Sequence, residues 1–498
     1  MKLNELIKYV KVRKVVGDEF VEVKGVSYDS REVKEGDLFV AIKGLNVDGH
    51  RFIPEAVLSG AVAVVLENDA VIDDSYFVER GVTKIVVQDS RKALALISSA
   101  FYGFPSQKLK LIGVTGTNGK TTTTHLIKAI LENAGFGTGL IGTINYVVGD
   151  EVIPAIQTTP ESLEINGFLK HMVDKGLSVC VMEVSSHALA LDRVFGLDFD
   201  VGVFTNITRD HLDFHGTFEA YFQAKKILFD SLKGDACAIY NIDDPNGEKI
   251  VADTKAMKLS YGRDERAVIK PKDVMLSFNG IELVIQTPTG VIDVKSKLIG
   301  EFNVYNILSA VAVGYALGVD FENIKKGIES VENVKGRFER IVSPFGYTVI
   351  IDYAHTPDAL EKCINAILNL REKTGGGKLI TVFGCGGDRD RGKRAIMGRI
   401  STEKSDVTVI TSDNPRFEDP ERIISDILEG VKEDSVYYVF VDRKEAIIRA
   451  LEMAQEGDIV LIAGKGHEEY QIIRDMKIPF SDVQVVKEYF EIKSKGKV

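Results

Sequence analysis

Tryptophan is absent from this 498-residue chain, and cysteine appears only four times, at Cys180, Cys237, Cys363 and Cys385. The missing indole is no guide to working temperature. The cysteines lie far apart, with no CxxC pair and no Cys/His spacing of the kind that holds zinc. A disulfide framework is excluded on the same ground, and buried free thiols in a reducing compartment are expected. The opening residues, MKLNELIKYVKVRK, lack the apolar segment of a secretory signal. No apolar run reaches the ~20 residues of a membrane span. These absences predict a cytoplasmic protein with no membrane partner. Positive charge is in deficit: the net charge of -11 argues against a sequence-independent nucleic-acid binder. A local basic pocket for an anionic substrate is compatible with that total. Low-complexity tracts and solenoid repeats are also missing.

What remains is the composition of a globular α/β protein, 45% hydrophobic and 27% charged. At roughly 150 residues per domain the length predicts about three domains. Residues 1–108 read as a small α/β unit, with GDLFVAIKG and GAVAVVLE as strands and RFIPEAVLSG as a helix between them. Residues 109–335 alternate strands and helices, which argues for a parallel sheet covered on both faces, with short alternating β segments near 270–297. Residues 336–498 carry three parallel cases of an apolar strand running into a charged loop: KLITVFGCGGDRDRGKR, DVTVITSDNPRFEDP and GDIVLIAGKGHEEYQ. Ligands of open parallel sheets bind just past the carboxyl ends of the strands, so these loops predict one binding face.

The most informative stretch is GVTGTNGKTTTT, residues 113–124, directly after the apolar LKLI. Glycine is costly in regular structure, so its repetition needs a reason. Gly116, Asn118 and Gly119 can turn backbone N–H groups toward one point, and the helix that starts near Lys120 adds its positive end. Lys120 would reach the β- and γ-phosphates, and the Thr121 hydroxyl would ligate Mg²⁺. Val114 stands where a regular phosphate loop has glycine, so this is a variant of that loop. The plain alternative is a glycine turn between strand and helix. Glu183 in VMEVSSH and His211 in TNITRDHLDFHG fall at strand ends, where a carboxylate and an imidazole could meet the metal.

GTNGKTTTT, EVSSHAL, TNITRDHLDFHG and YFQAKKILF together resemble the Mur ligases of peptidoglycan synthesis. YDSREVKEGDLFVAIKG is similar to a UDP-binding N-terminal domain of that family, and GCGGDRDRGKR, DNPR and AGKGHE to its C-terminal amino-acid site. The resemblance spans essentially the whole chain, with the motifs in family order. It implies an α/β protein of three domains: a small N-terminal UDP-binding domain, a central P-loop-type parallel-sheet ATPase domain and a C-terminal Rossmann-like domain. It also implies a reaction. ATP phosphorylates the side-chain carboxylate of D-glutamate in UDP-MurNAc-L-Ala-D-Glu. The amino group of a diamino acid then attacks the acyl phosphate, leaving an amide, ADP and phosphate. The partners so implied are small molecules, and the enzyme is expected to be a monomer.

Site residues follow from the same matches. ATP is expected on Gly116, Thr117, Asn118, Gly119, Lys120, Thr121 and Thr122, with Asn303 and Asn306 of EFNVYN, Arg337 of KGRFE, and Asp352 and His355 of DYAHTPD. The catalytic set is Lys120, Lys225 and His211. The metal set is Thr121, Glu183, His211 and Lys225, the last as a carbamate formed with CO₂. The residues alone do not distinguish Lys225 from Lys226; the family spacing A-K-x-x-L-F selects Lys225. The UDP-muramoyl dipeptide is expected on Ser30, Thr158, Thr159, Ser185 and Arg193. Read without the family, Thr158 and Thr159 before Pro160 are helix caps, and so are Asn303 and Asn306.

The added amino acid is either meso-diaminopimelate or L-lysine, which differ by one distal carboxylate. A site for the former needs a cation there, and arginine can grip a carboxylate with two hydrogen bonds. DNPR places Arg416 after a strand, beside Asp413, Asn414 and the stiffening Pro415. The resemblance assigns DNPR to diaminopimelate-type members, with Arg389 on another carboxylate and Gly464 and Glu468 at the distal ammonium. The alternatives are the same ligase using L-lysine, a folylpolyglutamate synthase, a member that adds D-alanyl-D-alanine, and a non-catalytic P-loop nucleotide switch.

Overall fold

Apolar strands with both faces buried organise the chain, as the continuous hydrophobic runs predict. The computed structural model describes residues 1–44 and 47–496. By compactness they fall into two units, Met1–Ile269 with Ser309–Ile324, and Lys270–Leu308 with Lys325–Val498.

The first unit holds two sheets. Strands β1 (Val12–Val16), β2 (Gly25–Ser27), β3 (Asp37–Val40), β4 (Ala63–Leu66) and β5 (Thr83–Val87) lie in the order β1-β5-β4-β3-β2. Only β1 runs antiparallel to its neighbour. Leu38 and Val40 of β3 enter one core while Phe39 enters another, so alternate residues serve opposite faces. Helix Ile53–Leu58 joins β3 to β4, as expected from RFIPEAVLSG.

The larger sheet contains β6 (Lys110–Thr115), β7 (Thr138–Ile141), β8 (Asn145–Val148), β9 (Glu151–Pro154), β10 (Val179–Glu183), β11 (Val201–Phe204), β12 (Cys237–Asn241) and β13 (Met257–Tyr261). Their order is β13-β12-β11-β6-β10-β7-β8-β9. Six strands are parallel, and β8 and β9 extend the sheet antiparallel. Strand β6 is central, flanked by β11 and β10, so the loops after these three strands open on one edge.

The second unit begins with an antiparallel sheet, β14 (Lys270–Ser277), β15 (Gly280–Thr287) and β16 (Gly290–Ser296), where short alternating segments were expected. A six-stranded sheet follows: β17 (Glu339–Val342), β18 (Thr348–Asp352), β19 (Leu379–Phe383), β20 (Val407–Ile410), β21 (Tyr437–Val439) and β22 (Ile459–Ala463), in the order β17-β18-β22-β19-β20-β21. All but β17 are parallel. The carboxyl ends of β18, β19, β20 and β22 therefore face one side, as the repeated strand-to-loop pattern predicts. A hairpin, β23 (Tyr470–Ile473) and β24 (Met476–Pro479), follows β22.

All four cysteines are free and buried. No helix among the described residues is long and apolar enough to cross a membrane.

Candidate active site

The glycine loop leaves β6 at Thr115 and enters helix Lys120–Asn133. Gly116 is required by close approach: a Cβ there would sit 1.9 Å from Thr205 Oγ1. Gly119, with φ 88°, makes the left-handed turn into the helix. The loop is tied to the end of β11. Thr117 N donates to Asn206 O at 2.8 Å, Asn118 N to Asn206 Oδ1 at 3.0 Å, and Thr205 Oγ1 to Asn118 O at 2.7 Å. Lys120 folds back over the loop, donating from Nζ to Gly116 O at 2.8 Å and Thr117 O at 2.9 Å. Thr121 and Thr122 are buried in the first turn. Asn118 Nδ2 is buried with no hydrogen-bond partner. A helix N-terminus, a lysine and an unsatisfied donor in one loop fit an anion.

Glu183 ends β10 fully buried. Its Oε2 accepts from Thr121 Oγ1 at 3.0 Å and Thr143 Oγ1 at 2.9 Å, and its Oε1 from Thr143 N at 2.8 Å. A Cβ on Gly142 would lie 2.6 Å from that Oε1, so the glycine leaves room for the carboxylate. Thr143 is a residue that sequence reasoning missed; its only signal was a Gly-Thr pair closing an apolar strand.

His211 has φ 52° and a half-exposed ring, edge-on to His187 with centroids 4.8 Å apart. Burial lowers its pKa, which Asp210 opposes and Lys120 and Lys225 reinforce. That direction favours the neutral imidazole, the form that ligates metals. Lys225 is 1% exposed and donates to Gly116 O at 2.9 Å. Burial, then the nearby Lys120, depress its pKa well below that of an ordinary lysine. Lys226 instead pairs with Asp230 at 2.5 Å and Asp253 at 2.7 Å. The hydroxyl of Thr121 and the carboxylate of Glu183 are hard oxygen donors of the sort Mg²⁺ takes. No group of three or more His, Cys, Asp or Glu placed to hold a metal occurs among the described residues.

The expected dipeptide residues gather beside β10. Thr159, buried, donates to Glu183 O at 2.7 Å and accepts from Ser185 N at 3.1 Å. Thr158 Oγ1 lies 3.1 Å from Thr143 Oγ1. Neither threonine caps a helix: Ser162–Asp174 has Glu161 at its N-cap position, without a side-chain bond. Ser185 does cap, accepting from Ala188 N at 3.1 Å. Arg193 donates to Glu161 Oε1 at 2.8 Å, Gln157 Oε1 at 2.6 Å and Thr159 O at 3.0 Å. Ser30, on the first sheet's side, is buried and donates to Glu55 Oε2 at 2.9 Å.

In the second unit, Asn303 and Asn306 lie within helix Phe302–Ala316 and are not its caps. Asn303 Nδ2 donates to Ile299 O at 2.7 Å and Asn306 Nδ2 to Asn303 Oδ1 at 2.8 Å. Asp352, at the end of β18, accepts from Phe338 N at 2.6 Å and Ala354 N at 2.8 Å; burial raises its pKa against the pull of Arg337. Arg337 lies over the Tyr353 ring at 5.0 Å with its buried Nε unpartnered. His355 is exposed, its Nδ1 2.8 Å from Tyr353 O.

The ends of β20 and β22 bring the DNPR and AGKGHE segments together. Lys465, missed by the sequence reading, is fully buried between them. Its Nζ donates to Asn414 Oδ1 at 2.9 Å, Glu468 Oε2 at 3.1 Å and Asp413 Oδ1 at 3.4 Å. Asn414 Nδ2 also donates to Glu468 Oε2, at 3.0 Å. Gly464, with φ 117°, lets Asp413 approach: a Cβ there would lie 2.9 Å from Asp413 Oδ2. Pro415 is buried, and Arg416 follows with φ 52°. The β23–β24 hairpin holds that backbone, Arg416 N donating to Ile472 O at 3.1 Å and Arg474 N to Arg416 O at 2.7 Å. Arg416 Nη1 donates to Gly387 O at 2.8 Å. A Cβ on Gly386 would lie 3.0 Å from Arg416 Nη1 and 3.9 Å from Arg389 Cγ, so the two arginines flank one glycine.

A buried acid–amide–lysine cluster beside Arg416 and Arg389 thus lies past one sheet, and a glycine loop fit for an anion past another. Three family descriptions match in sequence: "Mur ligase family, catalytic domain" over residues 22–102, "Mur ligase middle domain" over 114–314 and "Mur ligase, glutamate ligase domain" over 336–466. The chain is 46% identical over 493 residues to the UDP-N-acetylmuramoyl-L-alanyl-D-glutamate--2,6-diaminopimelate ligase of Clostridium tetani, covering 99% of each chain. It is 45% identical over 490 residues to the protein of the same name from Clostridium botulinum, covering 98% of this chain and 99% of that one. A solved structure bearing that enzyme's name superposes with a TM-score of 0.70 at 30% identity, over 99% of both chains. The chain therefore belongs to the Mur ligase family. It has that family's three-domain α/β fold and is an ATP-dependent ligase.

Proposed function

We propose that this ligase adds meso-2,6-diaminopimelate to the D-glutamate of UDP-MurNAc-L-Ala-D-Glu in peptidoglycan synthesis. The D-glutamate carboxylate oxygen attacks the γ-phosphorus of ATP, ADP leaves, and an acyl phosphate forms. The diaminopimelate amine attacks the acyl carbon, the tetrahedral intermediate loses phosphate, and a proton is released with the new amide. The modules doing this are residues 1–108 for UDP, 109–335 for ATP and 336–498 for the amino acid. The enzyme works as a monomer in the cytoplasm, on small molecules only.

Each task falls to named groups. Lys120 and the loop N–H groups hold the γ-phosphate, where positioning and charge supply most of the catalysis. Thr121, Glu183 and His211 would hold Mg²⁺, with Lys225 as a carbamate completing the set; when bound, the ion would neutralise phosphate charge. The depressed pKa of Lys225 supports this assignment, because only a neutral amine adds CO₂. Asn303, Asn306, Arg337, Asp352 and His355 serve ATP, and Ser30, Thr158, Thr159, Ser185 and Arg193 the dipeptide.

The observation that carries the choice of amino acid is the pairing of the cluster Asp413–Asn414–Lys465–Glu468 with Arg416 and Arg389. Two carboxylates can receive an ammonium, and two arginines a carboxylate. L-Lysine, which lacks the distal carboxylate, would leave Arg416 without an anion. Phosphate release should be measured with the UDP-muramoyl dipeptide and, in turn, diaminopimelate, L-lysine, ornithine and D-alanyl-D-alanine. Turnover with diaminopimelate at least tenfold above the others is expected; equal turnover with L-lysine overturns the choice, and release independent of the amino acid overturns the ligase reaction.

A further inference from the structure

Lys465 is a cation that no incoming substrate can reach. Its side chain is 0% exposed, and its ammonium has three N–H donors facing three acceptors: Asp413 Oδ1, Asn414 Oδ1 and Glu468 Oε2. Every donor is thus used inside the protein. The same bonds decide how the neighbours present themselves. Asn414 Oδ1 accepts from Lys465 Nζ and from Ile472 N at 2.9 Å, so its Nδ2 must turn toward Glu468 Oε2. Glu468 Oε2 then takes two donors, which leaves Oε1 as the oxygen those donors do not engage. Asp413 is held from the other side by its backbone, whose carbonyl accepts from Gln471 Nε2 at 2.6 Å.

The charge balance has the same result. Asp413 and Glu468 bring two negative charges to one buried place, and Lys465 brings one positive. Nearby Arg443 is neutralised by Asp482, the two fully buried and joined at 2.8 Å. The cluster keeps one net negative charge, which attracts an ammonium.

We infer that Lys465 is a positioning residue for amino-acid recognition: it locks Asn414 and Glu468 into the orientation that receives the substrate's ammonium group, without touching the substrate itself. This rests on the proposed function, since the ammonium in question is that of diaminopimelate.

The test uses the full-length enzyme and Lys465→Met, which keeps the length and removes the donors. KM for diaminopimelate should rise at least tenfold, while KM for ATP and for the UDP-muramoyl dipeptide stays within twofold. A KM for diaminopimelate within twofold of the parent overturns the inference. So does a parallel rise in all three constants, the mark of a merely structural role. Should Lys465→Met not fold, Lys465→Met/Glu468→Gln restores the charge balance and is compared with Glu468→Gln. A residue acting through Glu468 costs less in that background, at most threefold in KM, and a full tenfold cost there overturns the inference. A parent that ignores diaminopimelate overturns the functional reading and this inference with it; a parent that uses it beside an unaffected variant overturns this inference alone.

Discussion

Lys120 and Lys225 place their ammonium nitrogens on one carbonyl oxygen, Gly116 O, at 2.8 and 2.9 Å. Two cations converging on one acceptor cannot both hold their protons easily. Burial first, and then the charge of Lys120, push the pKa of Lys225 well below 10.5. The neutral amine is therefore favoured more than in an ordinary lysine. In buffer stripped of CO₂ the parent enzyme should lose activity and regain it with bicarbonate, less readily as the pH is lowered and the amine protonates. Lys225→Met should lose at least ~10²-fold in turnover, the scale of a missing electrostatic group in a phosphoryl-transfer site, and show no bicarbonate response. A bicarbonate response in that variant would refute the assignment.

Arg416→Ala should raise KM for diaminopimelate about 30-fold or more, from the roughly 2–5 kcal/mol lost when a desolvated charge partner is removed. KM for ATP should not change. Steady-state kinetics with each substrate varied in turn decides the point, and an unchanged KM for diaminopimelate removes the role given to the guanidinium.

Asp482→Asn leaves Arg443, fully buried and bonded also to Ala463 O at 3.0 Å, without its counter-ion. Breaking a buried pair in this way costs about 3–5 kcal/mol. Lys362→Ala removes an exposed helical pair with Asp358 and should cost less than ~1 kcal/mol. Urea midpoints of the two variants, measured together, should differ clearly in that order.

Glu418 accepts from the buried Arg394 at 2.9 and 3.0 Å, which holds its carboxyl down at about 2 from an ordinary 4.5. A carboxylate depressed by folding stabilises the native state above its unfolded pKa, and that contribution is lost on acidification. Thermal midpoints should therefore fall as the pH drops from 4.5 toward 2. Glu418→Gln should be less stable at neutral pH and should show a shallower acid slope. An identical slope in parent and variant counts against the pair.

The strands and the glycine turn between Thr115 and Lys120 were legible because local pattern carries them: apolar runs that end in glycine and polar residues. Side-chain roles were less so. Lys225 and Lys226 are adjacent in sequence but about 100° apart around helix Phe218–Asp230. Only packing sends one to the buried loop and the other to Asp230 and Asp253. Capping was a reasonable reading of Thr158 and Thr159 from spacing, yet Thr159 spends its hydroxyl across the sheet on Glu183 O and Ser185 N. Lys465 was overlooked because a lysine between two glycines suggests a solvated turn. Its burial depends on Asp413 and Asn414, about fifty residues earlier in the chain.

The left-handed backbone of Arg416 bears on any attempt to transplant the proposed amino-acid site. A non-glycine residue in that conformation is costly, by roughly 1–2 kcal/mol, and here Ile472 of β23 and Arg474 of the hairpin turn bond its backbone on both sides. Transplanting the four letters DNPR into a foreign loop would carry the guanidinium without the clamp that aims it. The transferable module is the tetrapeptide together with its hairpin, some sixty residues downstream.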